Sequence, residues 1–254
     1  LIAAYGIAAL LYLFTPISIV ALFSFNRPVG RQNSTWNEFS LDAWLNICKD
    51  PTICSAVGVS LQIAVIATSV ATLLGTLIAF ALVRHRFRGR ATTNLLIFLP
   101  MATPEVVLGA SLLALFLNFG MELGPETIII AHVMFCISFV VVTVKSRLQG
   151  MDPRLEEAAQ DLYADERATF RYVTLPLVAP GIAAAALLSF SLSFDDYIIT
   201  NLNSGTTVTF PMYVWGAAQR GIPPQVNVIG TLMFVGSLAI VMMAQLAGRA
   251  RRKA

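Results

Sequence analysis

The sequence predicts an all-α membrane protein of six transmembrane helices with a further helix in one cytoplasmic loop. Three observations predict it. Of the 254 residues 57% are hydrophobic and only 12% are charged, about half the charge of an ordinary soluble domain, and the mean hydropathy is +0.74. The charges gather between long uncharged runs. The basic residues then concentrate on alternate connections between those runs. This pattern excludes a disordered chain, a disulfide scaffold and a water-soluble enzyme, and a net charge of +3 is too small and dispersed for nucleic acid.

A helix needs about 20 apolar residues to cross a hydrocarbon core of ~30 Å. Uncharged runs cover 1–26, 51–83, 127–144, 172–194 and 221–248, and a sixth, 91–121, is interrupted only by Glu105. One span each is expected near 2–24, 57–83, 94–118, 127–145, 178–200 and 226–247, in a single domain over 1–254. The runs lack the alternation of a membrane barrel. The first 25 residues carry no charge and no small-residue cleavage site, so they read as a span and not a signal peptide. The chain opens on Leu1, so residues before it are expected.

Orientation follows from the lysines and arginines. The segments after spans 2, 4 and 6 hold Arg84, Arg86, Arg88 and Arg90, then Lys145, Arg147, Arg154, Arg167 and Arg171, then Arg249, Arg251, Arg252 and Lys253, which is 13 of the 17 basic residues. Arg27, Arg31, Lys49 and Arg220 fall on the other side. The positive-inside rule puts both termini and the 146–175 loop in the cytoplasm of a cell whose plasma (inner) membrane the chain crosses. The long outer loop carries Trp36 and Trp44, at headgroup level or against an external partner. Cys48 and Cys54 share that loop. Outside the cytosol they form either a disulfide or two unpaired thiols near a helix start. Cys136 reads as packing, and the two histidines, His85 and His132, lie in different regions and form no metal set.

The cytoplasmic loop reads MDPRLEEAAQDLYADERATFRYVTLP. Asp152 and Pro153 are a suitable N-cap and first-turn pair for a helix over 152–167. Leu155, Ala158, Ala159 and Leu162 recur at helical spacing, while Glu156, Gln160, Asp161 and Asp165 occupy the other face. Such a helix either lies on the membrane or docks into a groove of a soluble partner. Its acidic face disfavours the first, since surface-lying helices are usually basic on the polar side.

Glu157-Ala158-Ala159, followed by Val173-x-Leu175-Pro176, resembles the E-A-A loop of the permease subunits of binding-protein-dependent ABC importers. The resemblance implies a type I importer permease fold in which this loop is the coupling helix. Glu157, Ala158, Ala159, Asp161, Leu162, Tyr163, Leu175 and Pro176 would then meet a cytoplasmic ATPase. Tyr163 departs from the pattern, because the family usually has glycine there. The implied assembly is this chain, a sister permease, two ATPase subunits and an external binding protein. ATP and Mg would be bound by the ATPases and no cofactor by this chain. Leu99-Pro100-x-x-x-Pro104-Glu105 and Leu192-Ser193-Phe194-Asp195-Asp196-Tyr197 further resemble the spermidine/putrescine permease subfamily, which implies a polyamine-like cationic solute.

The residues themselves argue for a solute path. Glu105, about eleven residues into span 3, falls near mid-bilayer, where an ionisable group normally faces water or a cation. Pro100 and Pro104 break the helix just before it, and loosened backbone at membrane depth is tolerated where it lines a cavity. Ser189, Ser193, Asp196 and Thr200 form a polar stripe along span 5, flanked by Phe190, Phe194 and Tyr197. Carboxylates and ring faces suit a polycation. The rings alternatively pack against lipid or a neighbour, and Asp195 and Asp196 alternatively cap the wet end of the helix. Competing functions are another solute, an ATP-independent secondary transporter, which often pairs interrupted helices in two halves, and a membrane enzyme, for which two isolated histidines supply no catalytic set. The chain is not itself the ATPase: none of Lys49, Lys145 and Lys253 follows a glycine, as a phosphate-cradling loop requires.

Overall fold

The computed structural model describes residues 2–30 and 32–251, with side chains described over 5–30 and 32–239 and at Met242. Arg31, Arg252 and Lys253, counted above in the charge asymmetry, lie outside the described residues. The elements are α1 (Ile2–Phe23), α2 (Asp42–Leu45), α3 (Pro51–Arg84), α4 (Arg90–Ala102), α5 (Glu105–Asn118), α6 (Pro125–Gln149), α7 (Arg154–Asp161), α8 (Glu166–Thr169), a π-helical turn (Phe170–Thr174), α9 (Leu175–Asp195), α10 (Ile198–Asn203), α11 (Phe210–Arg220) and α12 (Pro224–Arg251). Tyr5–Phe23, Pro51–Arg84, Pro125–Gln149 and Glu166–Asp195 are each long and apolar enough to cross a membrane. A shorter apolar helix, Pro224–Ala239, falls where the last span is expected.

The span expected near 94–118 is corrected. It is two helices, α4 and α5, meeting at 108°. Pro104 has no N–H to continue the ladder and its ring drives Thr103 out of the helical region, to φ −83° and ψ 133°. Pro100 is accommodated inside α4. Depth counted along one straight helix therefore does not apply to Glu105, which opens α5 just past the break and is exposed. The span expected over 178–200 likewise ends early: α9 stops at Asp195, Asp196 is extended, and α10 starts afresh.

The chain divides into two compact units, 57–212 and 1–56 with 213–254. In the first, α6 is the central helix. His132, Cys136, Val140, Val144 and Leu148, one turn apart, are all buried, and α6 packs on α9, α4 and α10. The approach of α3 depends on Gly75, where a Cβ would stand 2.7 Å from the Cβ of Val140.

In the second unit α1 packs on α12, with Phe14 and Phe234 edge to face at 6.3 Å. The loop after α1 is held by Asn26, which donates to Asn33 Oδ1 at 2.7 Å and to the Thr35 carbonyl at 2.8 Å. Phe25 stacks between Phe39 and Trp44, and Trp36 meets Phe23 edge to face. Cys48 and Cys54 are joined in a disulfide, Cα–Cα 5.5 Å, and between them Asp50 accepts a hydrogen bond from the Tyr213 hydroxyl at 3.0 Å.

Candidate functional site

The 152–167 segment is corrected in its local form. It is not one helix but α7 and α8, separated by a turn in which Tyr163 takes φ +66°. That left-handed conformation costs a residue with a Cβ roughly 1–2 kcal/mol and suits glycine. It is also the position at which the resembling family usually has glycine. Asp152 accepts from the Arg154 N–H at 3.0 Å, and Asp165 caps α8 by accepting from Ala168 N–H at 2.6 Å.

The loop is fastened from beneath by a residue that sequence reasoning had placed on its polar face. Glu156 takes both guanidinium nitrogens of Arg84, at the end of α3, and accepts from Thr174 Oγ1 at 2.5 Å, in the π-helical turn. The Arg84 hydrogen bonds hold the Glu156 carboxyl below the usual glutamate range, against the opposing effect of burial. Arg84 and Glu156 are 72 residues apart, so neither spacing nor periodicity could pair them; the first of four arginines closing a long apolar run was the only signal.

With Glu156 turned inward and Ala159 half-buried, the other residues of α7 face out. Glu157, Ala158 and Asp161 are exposed, and Leu162 and Tyr163 protrude at 82% and 99% exposure. An exposed apolar pair beside two carboxylates is a surface with contact chemistry that none of the described residues covers. Beyond it, the π-helical turn closes with Leu175 N–H bonded to the Phe170 carbonyl, and Leu175 and Pro176 are exposed at the start of α9.

The residues expected to line a solute path separate into two groups. Ser193 and Asp196 are buried and belong to a polar cluster around His132 of α6. His132 Nδ1 lies 2.7 Å from Ser193 Oγ, and its Nε2 lies 3.0 Å from Thr200 Oγ1 and 3.4 Å from Asp196 Oδ2. Asp196 Oδ2 also accepts from the Thr200 N–H at 2.7 Å and from its hydroxyl at 2.8 Å. The expectation that Asp196 opens on water is thus corrected: its side chain faces the interior, because the chain breaks there and the carboxylate satisfies the first turn of α10. Asp195 and Glu105 are exposed. Phe194 stacks on Phe190 at 6.1 Å and meets Phe210 at 6.1 Å, and Tyr197 is half-buried at the break. His132 was missed as a partner because its contacts lie 61 and 68 residues away. The polar stripe of span 5 was the one signal that something polar must face it.

The family model described as a binding-protein-dependent transport system inner membrane component matches residues 71–252. Over 239 residues the chain is 39% identical to the spermidine/putrescine transport system permease protein PotC of Haemophilus influenzae, covering 94% of this chain and 92% of that one. It is 37% identical over 238 residues to the putrescine transport system permease protein PotI of Escherichia coli, covering 91% and 84%. Among solved structures it is similar to a bacterial alginate ABC transporter in complex with an alginate pentasaccharide-bound periplasmic protein, at 16% identity and TM-score 0.68, covering 98% and 92%. An amino acid ABC transporter matches at 18% identity and TM-score 0.63, covering 84% and 100%. At these identities the structural likeness carries the fold alone.

Proposed function

Because the chain belongs to the binding-protein-dependent transport system inner membrane components, we propose that it is a permease subunit of an ATP-driven importer for polyamines such as spermidine and putrescine. Both compact units act as one permease domain in the plasma (inner) membrane, with the termini and the 146–175 loop in the cytoplasm. The complex comprises a sister permease, two ATPase subunits that bind ATP and Mg, and an external binding protein that delivers the solute. This chain hydrolyses nothing itself.

The observation that carries the coupling role is the fastening of α7. Its outer side and the turn after it present Glu157, Ala158, Leu162 and Tyr163 to a partner, while its inner side, through Glu156, grips α3 at Arg84 and the turn leading into α9 at Thr174. Movement of α7 by closing ATPases therefore reaches two spans at once and drives a rigid-body switch between inward- and outward-facing forms. The breaks at Thr103–Pro104 and Asp196–Tyr197 interrupt spans 3 and 5, and interrupted helices at membrane depth are tolerated where they line a cavity. Glu105 and Asp195, exposed at those breaks, meet the cationic amines, with Phe194 and Tyr197 supplying ring faces. Asp196, with Ser193 and His132, positions the second break and does not touch solute.

The test is ATP hydrolysis by the reconstituted complex, stimulated by the binding protein loaded with spermidine, putrescine, a neutral sugar or an anion. Polyamines alone should stimulate. Glu105→Gln or Asp195→Asn should weaken apparent affinity about ten- to a hundredfold, the worth of a charge-assisted hydrogen bond. Stimulation by sugar or anion and not by polyamine contradicts the solute, and uptake without ATP contradicts the importer class.

A further inference from the structure

Lys145, near the C-terminal end of α6, stands at the end of a groove between α4 and α6. The groove encloses about 490 Å³ and has a direction. On α4, Asn94 is followed one turn later by Phe98; on α6, Lys145 is preceded one turn earlier by Val142. The Lys145 ammonium donates to Asn94 Oδ1 at 2.7 Å, so the two polar positions face each other and the apolar ones continue away from them on both helices. Ser146 adds a hydroxyl at the polar end. Among the described residues Lys145 meets no carboxylate: the close contacts between a basic side chain and a carboxylate there are Arg84–Glu156 and His132–Asp196. A half-buried ammonium with a neutral partner retains unspent charge and donors. Phe98 and the neighbouring Leu95 are more than half exposed and apolar, a surface suited to hydrocarbon.

We infer that this groove binds one anionic phospholipid of the cytoplasmic leaflet, its phosphate on Lys145 and Ser146 and an acyl chain along Phe98 and Val142. Charge complementarity selects the occupant. A cytoplasmic leaflet is rich in anionic lipid and draws basic side chains at about this depth. A zwitterionic lipid would fill the apolar length equally well, but its headgroup brings a second cation beside the Lys145 ammonium and leaves the site with net positive charge. The lipid would brace α4 against α6 where the 108° break leaves α4 without a straight continuation. The inference rests on the cytoplasmic orientation proposed for this end of α6.

The assembled transporter, purified in mild detergent from a defined mixture of phosphatidylglycerol and phosphatidylcholine, is analysed by native mass spectrometry. One phosphatidylglycerol should stay bound. Lys145→Gln should cut its retention about fivefold, the effect of one basic residue at an anionic surface, and Lys145→Arg should restore it. Ser146→Asp is an independent check. It leaves the Lys145–Asn94 bond in place and should expel the lipid by repulsion. Arg88→Gln, on the exposed turn before α4, should change nothing. Equal retention of the two lipids, or undiminished phosphatidylglycerol on Lys145→Gln and Ser146→Asp, overturns the inference. Labelling of Arg88→Cys from the outside only would overturn the orientation instead.

Discussion

Glu156 and Asp196 are both carboxylates held by a basic side chain and a threonine, one at the edge of water and the other sealed among helices. Glu156 has Arg84 and Thr174; its side chain is 15% exposed and that of Arg84 39%. Asp196 has His132 and Thr200, and the Asp196 and His132 side chains are 4% and 2% exposed. The settings assign different work to similar chemistry. A partly wet ion pair is screened and contributes little stability, so it can shift with a moving loop at small cost. A sealed network loses the full desolvation energy of any group left unpaired, so it fixes one geometry and resists change. The first suits transmission and the second suits holding a break.

The comparison is sharpest if the buried member is broken. Asp196→Ala leaves the Thr200 N–H and hydroxyl without their acceptor, and should lower stability by about 3 kcal/mol, read as a fall in the thermal midpoint of the purified complex. Glu156→Gln should move that midpoint little, by under about 1 kcal/mol. Equal losses would erase the distinction between the two regions.

Transport should respond the other way. Glu156→Lys faces Arg84 with a like charge and should reduce polyamine uptake at least about tenfold, with the protein still in the membrane. Arg84→Glu should do the same, and combining Arg84→Glu with Glu156→Arg should recover much of the activity. A double variant as poor as either single one would mean that the pair does not transmit motion.

The two regions also differed in how far the sequence disclosed them. The outward side of the loop was read from the E-A-A resemblance, whose residues Glu157, Ala158, Leu162 and Tyr163 are near neighbours in the chain, and a helix start at Asp152 is a local signal. Four helices long and apolar enough to cross a membrane fall where uncharged length predicts them. The prolines marked the break of span 3 but not its angle, which depends on how α4 packs on α6. The anchors were not legible, since Arg84–Glu156 and His132–Thr200 close over 72 and 68 residues. Asp196 was read as facing water because a stripe of polar residues looks alike whether water or a buried histidine lies opposite it.

Smaller effects refine the loop. Tyr163→Gly should stabilise the isolated chain by about 1 kcal/mol, since glycine takes φ +66° without strain. Tyr163→Ala keeps the strain and removes only the exposed ring, so loss of ATPase co-purification in both would assign the ring to the contact. Smallest is the pH response. The folded carboxyl of Glu156 lies below its unfolded value of about 4.3. Its contribution is therefore present at neutral pH and is lost as pH falls below about 4 and through the folded value. Protection of 154–161 from proteolysis should decline over that window in the native protein and not in Glu156→Gln.

The most direct test of coupling through this loop is the ATPase rate of the reconstituted complex with polyamine-loaded binding protein, native against Glu157→Lys. Glu157 is exposed on the outward side of α7 and has no part in the Arg84 anchor. Its reversal should abolish stimulation by the loaded binding protein while basal hydrolysis and the chain's level in the membrane persist. Stimulation undiminished in Glu157→Lys would contradict a docking role for this surface.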